Sequence, residues 1–315
     1  MGEWRLTTPV AFLIFNRPET TARVFAEIAR ARPPQLLIVA DGPRPERKKE
    51  AEQCAATRAV VEQVDWDCQV LRNYADSNLG CKRRVSSGLD WVFQSVEEAI
   101  VLEDDCLPHP SFFRYCQELL ERYRHDSQVM QICGLNVVHD KQRSPYSYYF
   151  SRFGPIWGWA SWRRAWQYYD VEMRLWPTVK EDRAYRWFCD SDQEVNWRLK
   201  LYDRVYRGEL DTWDYQWGFA KMVRSGLSVV PHGNLIINLG FGGDSTHTAD
   251  SNATLARLQH AGLEFPMKHP PYMCRNFSFD QLYLKRMVFN KNGYVRRFGK
   301  LINNLLFSGK LKGKV

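Results

Sequence analysis

Residues 99–110 read Ala-Ile-Val-Leu-Glu-Asp-Asp-Cys-Leu-Pro-His-Pro. The apolar run Ile100, Val101 and Leu102 ends in three carboxylates, Glu103, Asp104 and Asp105. Two prolines close the turn, and the pattern of an amphipathic helix starts at Ser111. Short apolar runs of this kind form the buried parallel strands of α/β proteins, whose ligands sit at the strands' carboxyl ends. Carboxylates gathered there repel one another unless something positive lies among them, and a divalent cation carrying a phosphate answers that need. The plainer alternative is that they cap the Ser111 helix or face solvent, and the triplet alone does not choose.

The neighbouring sequence repeats the motif of strand followed by polar turn. Pro9–Phe15 reads as a buried strand that runs into Asn16-Arg17-Pro18 and a helix with Val24, Phe25 and Ile28 on one face. Gln35–Ala40 is a second strand and finishes at Asp41-Gly42-Pro43. Arg44–Val64 suits a charged helix, and Cys68–Arg72 a short third strand. Asn78-Leu79-Gly80 then opens a helix carrying Val85, Leu89, Trp91, Val92 and Val96. This alternation predicts right-handed crossovers and a mostly parallel sheet flanked by helices. The strand ends Asn16-Arg17, Asp41-Gly42, the Asn78–Arg84 region and the Glu103 triplet would then share one edge. No Gly-x-Gly-x-x-Gly follows the first strand and there is no Walker loop, which speaks against dinucleotide enzymes and P-loop NTPases.

Farther on, Phe112, Tyr115, Cys116, Leu119 and Leu120 form one face of a helix, and Val129–Cys133 reads as another strand. The Tyr146–Trp176 stretch is crowded with aromatics, among them Trp157, Trp159, Trp162 and Trp166. Such density suits a core, or a stacking platform for a sugar ring. Asp211-Thr212-Trp213-Asp214-Tyr215-Gln216-Trp217 is a second cluster of acids and aromatics, and Gly240–Thr248 is a glycine-rich loop holding His247.

The 315 residues can build one large α/β core with an appended lobe. The eight cysteines are scattered without a Cys-x-x-Cys pair, which argues against a zinc ribbon or thioredoxin site and for reduced thiols. No apolar run reaches the roughly 18 residues of a membrane span, and the Met-Gly-Glu-Trp-Arg start lacks a signal pattern, so a cytoplasmic chain is expected. The formal net charge is +8, yet nine Lys and Arg and no acid fall from Lys285 onward. Subtracting those nine from 44 leaves 35 basic residues against 36 acidic ones, so the body is near neutral and a nucleic-acid partner is not expected. Leu301–Phe307 among these basic residues suits either a peripheral helix on an anionic membrane or a solvated tail.

Together the Asn16-Arg17-Pro18, Asp41-Gly42, Asn78-Leu79-Gly80 and Glu103-Asp104-Asp105 elements resemble a GT-A fold glycosyltransferase. The nearest groups are the bacterial family-2-like and hemolytic-protein-like transferases, with a layout also similar to the N-acetylglucosaminyltransferase I group. The resemblance spans roughly residues 8–250. It implies a Rossmann-like catalytic domain over 1–250 with a nucleotide-binding half (1–125) and an acceptor-binding half (126–250), followed by a basic helical extension over 251–315. Phe15, Asn16, Arg17, Asp41, Asn78, Gly80, Lys82 and Arg84 would line the nucleotide, with Arg83 a further candidate beside Lys82. Glu103 and Asp104 would face the sugar and ribose, and Asp105 with His247 would hold Mn²⁺ or Mg²⁺ against the diphosphate. Asp214 would be the general base, with Asp211 left open as an alternative, and Trp157, Trp159 and Trp162 would receive the acceptor. Here the triplet is Glu-Asp-Asp where the compact family-2 pattern has Asp-x-Asp, and Trp-Asp-Tyr-Gln-Trp replaces the usual acidic loop.

The implied reaction moves a sugar, with inversion, from a nucleoside diphosphate sugar (a UDP-sugar first, GDP second) to a saccharide or lipid-linked acceptor in bacterial surface polysaccharide synthesis. Two other readings remain at this point. A sugar nucleotidyltransferase would carry a Gly-rich basic loop after the first strand, which Asn16-Arg17-Pro18 is not. A non-enzymatic carbohydrate- or membrane-binding protein would bind sugar whether or not Asp105 and Asp214 were intact.

Overall fold

Val10–Ile14 forms β1, five apolar residues with every side chain buried, which requires cover on both faces of the sheet. The computed structural model describes residues 4–141, 144–241 and 258–289. In it β1 lies inside an eight-stranded sheet. Its neighbours are β2 (Gln35–Ala40) on one side and β4 (Glu98–Glu103) on the other, both parallel to it, with β3 (Gln69–Tyr74) parallel beyond β2. The order continues from β4 through β8 (Trp159–Trp162), β6 (Val129–Cys133) and β9 (Leu227–Pro231) to β7 (Tyr148–Ser151). Only β8 and β7 run against the common direction. The short β5 (Cys106–Pro108) pairs instead with β10 (Ile236–Asn238), and two short helices, α5 (Arg163–Trp166) and α6 (Trp176–Glu181), follow β8. The fold is therefore the mixed α/β, mostly parallel sheet flanked by helices that the strand–helix alternation predicts.

Strand periodicity divides the core into two sides. Val10, Phe12 and Ile14 of β1, with Ile100 and Leu102 of β4, face one cluster together with Val24, Phe25 and Ile28 of α1 (Pro18–Ala31). Also on that side are α2 (Glu50–Val61), which packs on α1, and α4 (Ser111–Arg122) with its buried Phe112, Phe113, Leu119 and Leu120. Ala11 and Leu13, with Ala99 and Val101, face the other side, against Leu89, Val92 and Phe93 of α3 (Gly80–Ser95). That second side also holds Trp213 and Trp217 of the segment that enters and forms α8 (Asp214–Val223). Glu103 has the parity of Ala99 and Val101, so the strand directs it towards the side where α8 begins.

The aromatic stretch is core. Trp159 is 0% exposed and Trp162 is 2% exposed. Trp159 lies 5.8 Å from Trp213, 6.0 Å from Trp217 and 6.1 Å from Trp166. Trp162 donates its indole N–H to Leu120 O at 3.2 Å and carries the Arg164 guanidinium over its ring at 4.2 Å. The acceptor platform expected of Trp159 and Trp162 is thus not presented to solvent, and Trp157 is also buried. The physical reason is position: β8 is an interior strand with α4 packed over the Trp162 face and Trp166, Trp213 and Trp217 over the Trp159 face.

The segment after residue 257 packs against β7. Phe279 of α9 (Phe277–Tyr283) stacks on Tyr149 at 3.8 Å, and Tyr283 stacks on Phe153 at 4.9 Å. Arg152, next to β7, pairs with Asp190 at 2.5 Å and with the fully buried Glu194 of α7 (Asp192–Tyr206) at 2.6 Å. Arg275 completes this clasp through Asp280 at 2.8 Å. No helix among the described residues is long and apolar enough to cross a membrane. Most of the basic tail, including Leu301–Phe307, lies outside the described residues.

Replacing Trp159 tests the core assignment. Trp159→Ala should destabilise the fold by about 3–5 kcal/mol. Trp159→Phe should cost less than the alanine variant, because it leaves a smaller cavity and the indole N–H it removes is buried without a hydrogen-bond partner in the native packing. Denaturant unfolding checks both; a small loss for the alanine variant would overturn the core reading.

Candidate active site

The chain leaves β1 towards β2 and β3 but later returns to β4 on β1's other flank, so the order of the sheet reverses between β1 and β4. Side chains beyond the carboxyl ends of two such strands enclose a crevice, the usual place for a ligand in an open α/β sheet. Phe15, Asn16 and Arg17 follow β1 here, and Asp104 and Asp105 follow β4. Phe15 N–H donates to Asp104 Oδ2 at 3.0 Å, joining the two strand ends. Arg17 Nη1 lies 2.8 Å from Asp105 Oδ2 and 3.7 Å from Asp104 Oδ1.

Two other predicted acids meet at the first turn of α3. Asp41 accepts N–H groups from Gly42 at 2.8 Å and Leu79 at 2.9 Å, and the Asn78 amide at 2.9 Å. Asp211 accepts from Cys81 N–H at 3.2 Å and Lys82 N–H at 3.0 Å. The first N–H groups of a helix have no partners within it, and these carboxylates supply them at the positive end of the helix dipole. Gly80 has φ +77°, a backbone setting that favours glycine, and a Cβ there would lie 3.1 Å from Asp211 Oδ2. Burial raises the Asp41 pKa against the lowering effect of these N–H groups.

Asp214 opens α8 one turn of chain away from Asp211. Its Oδ1 takes the hydroxyl of Thr212, and the Trp213 carbonyl just before it is held by Tyr169 at 3.2 Å. Burial pushes its pKa up, with the Thr212 hydroxyl opposing. Glu103 has its pKa driven well above the ordinary carboxylate range by burial and then by the charges of Asp105, Asp104 and Asp214. Its Oε1 is buried and has no hydrogen-bond partner. Asp104 is pushed up to about 7 by burial, with Arg17 and the Phe15 N–H opposing. The charges of Asp105, Asp104 and Asp214 thus act on Glu103 together, and the Arg17 guanidinium opposes them.

The remaining predicted contacts divide. Asn16 donates its amide to Glu50 at 3.0 Å, and Arg44 grips the same buried carboxylate through Nε at 2.8 Å. Arg44 also lies over the Phe15 ring at 5.5 Å. Lys82 pairs with Glu172 at 3.2 Å, and Arg83 does so at 3.3 Å. Arg84 is buried and gives its donors to Ala40 O at 3.1 Å and Asn73 O at 2.6 Å, so it braces strand ends and is turned away from any ligand. His247 lies outside the described residues. Glu50, Arg44, Glu172 and Thr212 were not anticipated; each acts through a partner distant in sequence or through hydroxyl geometry, for which the sequence carries no periodic signal.

Among the described residues no three His, Cys, Asp or Glu side chains are arranged to hold a metal ion by themselves. The donor set nevertheless fits an ion of the Mg²⁺ or Mn²⁺ kind that arrives with phosphate, because such ions take only one or two protein carboxylates and complete their shell from phosphate and water. The surplus negative charge and the orphaned Glu103 oxygen are what such an ion would compensate.

No protein-family model matches this chain, and no curated protein matches it in sequence. Among solved structures it is similar to the mannosyltransferase PcManGT from Pyrobaculum calidifontis in complex with GDP-Man and Mn²⁺ (12% identity, 50% of this chain and 45% of that one, TM-score 0.34). It is similar to S. aureus TarS at 8% identity over 50% of this chain and 47% of that one, with the same TM-score of 0.34. A third likeness, to 4-diphosphocytidyl-2C-methyl-D-erythritol synthase from Anaerococcus prevotii, has 9% identity, 62% and 84% coverage and a TM-score of 0.31. This chain spans less than half the length of the first two. Likenesses this remote decide neither fold nor activity.

The Asp41 turn gives a direct test. A Cβ on Gly42 would lie 2.5 Å from Ser77 N and 2.7 Å from Asp76 C, both backbone atoms that cannot step aside alone. Gly42→Ala should therefore destabilise by about 1–3 kcal/mol and loosen the Asn78–Gly80 turn. Faster amide exchange at Leu79 is the expected readout, and unchanged protection there would show that the turn does not depend on this approach.

Proposed function

We propose that this protein is a glycosyltransferase that moves a sugar from a nucleoside diphosphate sugar to a hydroxyl of a saccharide or lipid-linked acceptor, with inversion at the anomeric carbon. The observation that carries this reading is the gathering of Glu103, Asp104 and Asp105 at the point where the sheet reverses, where the charges of Asp105, Asp104 and Asp214 all raise the Glu103 pKa. One carboxylate there suits a proton acceptor, and the others suit a cation-borne diphosphate.

Asp214 is the better base of the two candidates. Asp211 has both oxygens engaged by α3, whereas the partners of Asp214 are the Thr212 hydroxyl and N–H groups at the start of its own helix, and burial still leaves its pKa raised. Its raised pKa makes it a stronger proton acceptor for the acceptor hydroxyl. A base on the face opposite the departing diphosphate gives direct displacement and inversion. The leaving diphosphate needs positive charge, and α3's first turn does not offer it, being closed by Asp41 and Asp211. Arg17 supplies it from this chain, with its side chain 53% exposed. A Mn²⁺ or Mg²⁺ ion held at Asp105 would add the charge neutralisation that lets the diphosphate leave.

Three variants check the assignment. Thermal stabilisation of the wild type by UDP or GDP with Mn²⁺ should reach about 2.7 kcal/mol at a hundred times the dissociation constant. Asp105→Ala should remove the Mn²⁺-dependent part of that shift. Asp214→Asn should keep donor affinity and lower turnover at least roughly a hundredfold. Asp211→Asn should instead lower stability by about 1 kcal/mol through the weakened cap, with turnover of the folded enzyme little changed. Turnover lost in Asp211→Asn and kept in Asp214→Asn would reverse the base assignment.

A further inference from the structure

The cluster at the sheet reversal already holds a cation of its own. Arg17 Nη1 sits 2.8 Å from Asp105 Oδ2, the carboxylate that the glycosyltransferase reading gives to the divalent ion. The backbone at Arg17 is fixed, because its carbonyl accepts Thr21 N–H at 3.0 Å and the Thr21 hydroxyl at 2.7 Å as α1 begins. The side chain, by contrast, is more than half exposed, and its ion pairs among the described residues are with the two acids. Gly240 closes the third side: a Cβ there would lie 2.9 Å from Asp105 Oδ2 and 3.7 Å from Arg17 Nη1. A guanidinium and a divalent ion compete for that oxygen, since like charges a few ångströms apart repel one another.

Among the described residues, the other donors at the α3 end of the crevice are engaged by the protein itself. Both α3 carboxylate caps are in place, Arg84 is committed to carbonyls, and Lys82 is paired with Glu172.

We propose that Arg17 is an exchangeable counter-ion, which holds Asp105 and Asp104 in the nucleotide-free protein and turns to the donor's diphosphate as the metal ion takes its place at Asp105. This rests on the glycosyltransferase reading and adds a coupling to it. Metal and diphosphate then favour one another because each removes Arg17's competing attachment, and the ion alone is held weakly. No movement of the main chain is required, only rotation about side-chain bonds.

The two ligands should respond to Arg17 with opposite signs, which a merely structural residue would not produce. Free Mn²⁺ is titrated by its electron paramagnetic resonance signal against wild type, Arg17→Gln and Asp105→Asn without nucleotide. UDP and GDP are titrated separately in EDTA. Arg17→Gln should bind Mn²⁺ about tenfold more tightly and the metal-free diphosphate about tenfold more weakly, while Asp105→Asn should lose Mn²⁺. Arg17→Met removes the same charge without needing a hydrogen-bond partner, and serves if the glutamine variant is misfolded. Unchanged or weaker Mn²⁺ binding by the folded Arg17 variants overturns the exchange. Failure of the wild type to bind either diphosphate, with or without Mn²⁺, overturns the glycosyltransferase reading instead.

Discussion

Two carboxylates from distant parts of the chain close the first turn of α3, and the site depends on that closure. Asp41 comes from the end of β2 and Asp211 from the segment before α8, 170 positions apart in the chain. Each takes helix N–H groups that would otherwise lack partners beside the carboxyl edge of the sheet. Through Asp211 the α3 turn fixes where α8 starts, and the first residue of α8 is Asp214. Through Asp41 it fixes Asn78 and the chain that crosses Gly42. A helix terminus that often receives phosphate in α/β proteins is here an assembly point for the protein itself.

That use of α3 shifts the electrostatic demand to the other side of the crevice. The charges of Asp105, Asp104 and Asp214 raise the proton affinity of Glu103, and that of Asp105 raises Asp104's, with burial the larger cause at both. Arg17 offsets part of this charge and Glu103 Oε1 remains without a partner. A cluster with this imbalance is poor at stabilising the fold, since buried carboxylates destabilise unless paired. Its placement at the strand reversal is what gives it chemical meaning.

The sheet's second side explains why these groups meet. Strand alternation sends Ala99, Val101 and Glu103 of β4 to the side packed by α3 and by the indoles of Trp159, Trp213 and Trp217. Those indoles carry the start of α8 to the edge where β4 ends. The aromatic density between residues 146 and 176 is thus the support behind the site rather than a surface for sugar, as the zero exposure of Trp159 shows.

Much of this was legible from residue order. Apolar runs bounded by Asn16, Asp41 and Glu103 determine strands covered on both faces, and the amphipathic spacing of Val24, Phe25 and Ile28 determines the helix between them, because local periodicity encodes which side of an element is buried. The same patterns placed Arg17 and the Glu103–Asp105 triplet on one edge. What residue order could not contain was the choice among chemically equal groups. Asp211 and Asp214 are three positions apart and look alike, and only the packing of α3 against the residue 211 segment makes one a helix cap and leaves the other buried at the start of α8, its charge felt by Glu103. Likewise the sequence allows Trp159 to line a surface or a core, and only the packing of Trp166, Trp213 and Trp217 over it decides, since an indole's burial depends on its neighbours in space and not on those in sequence.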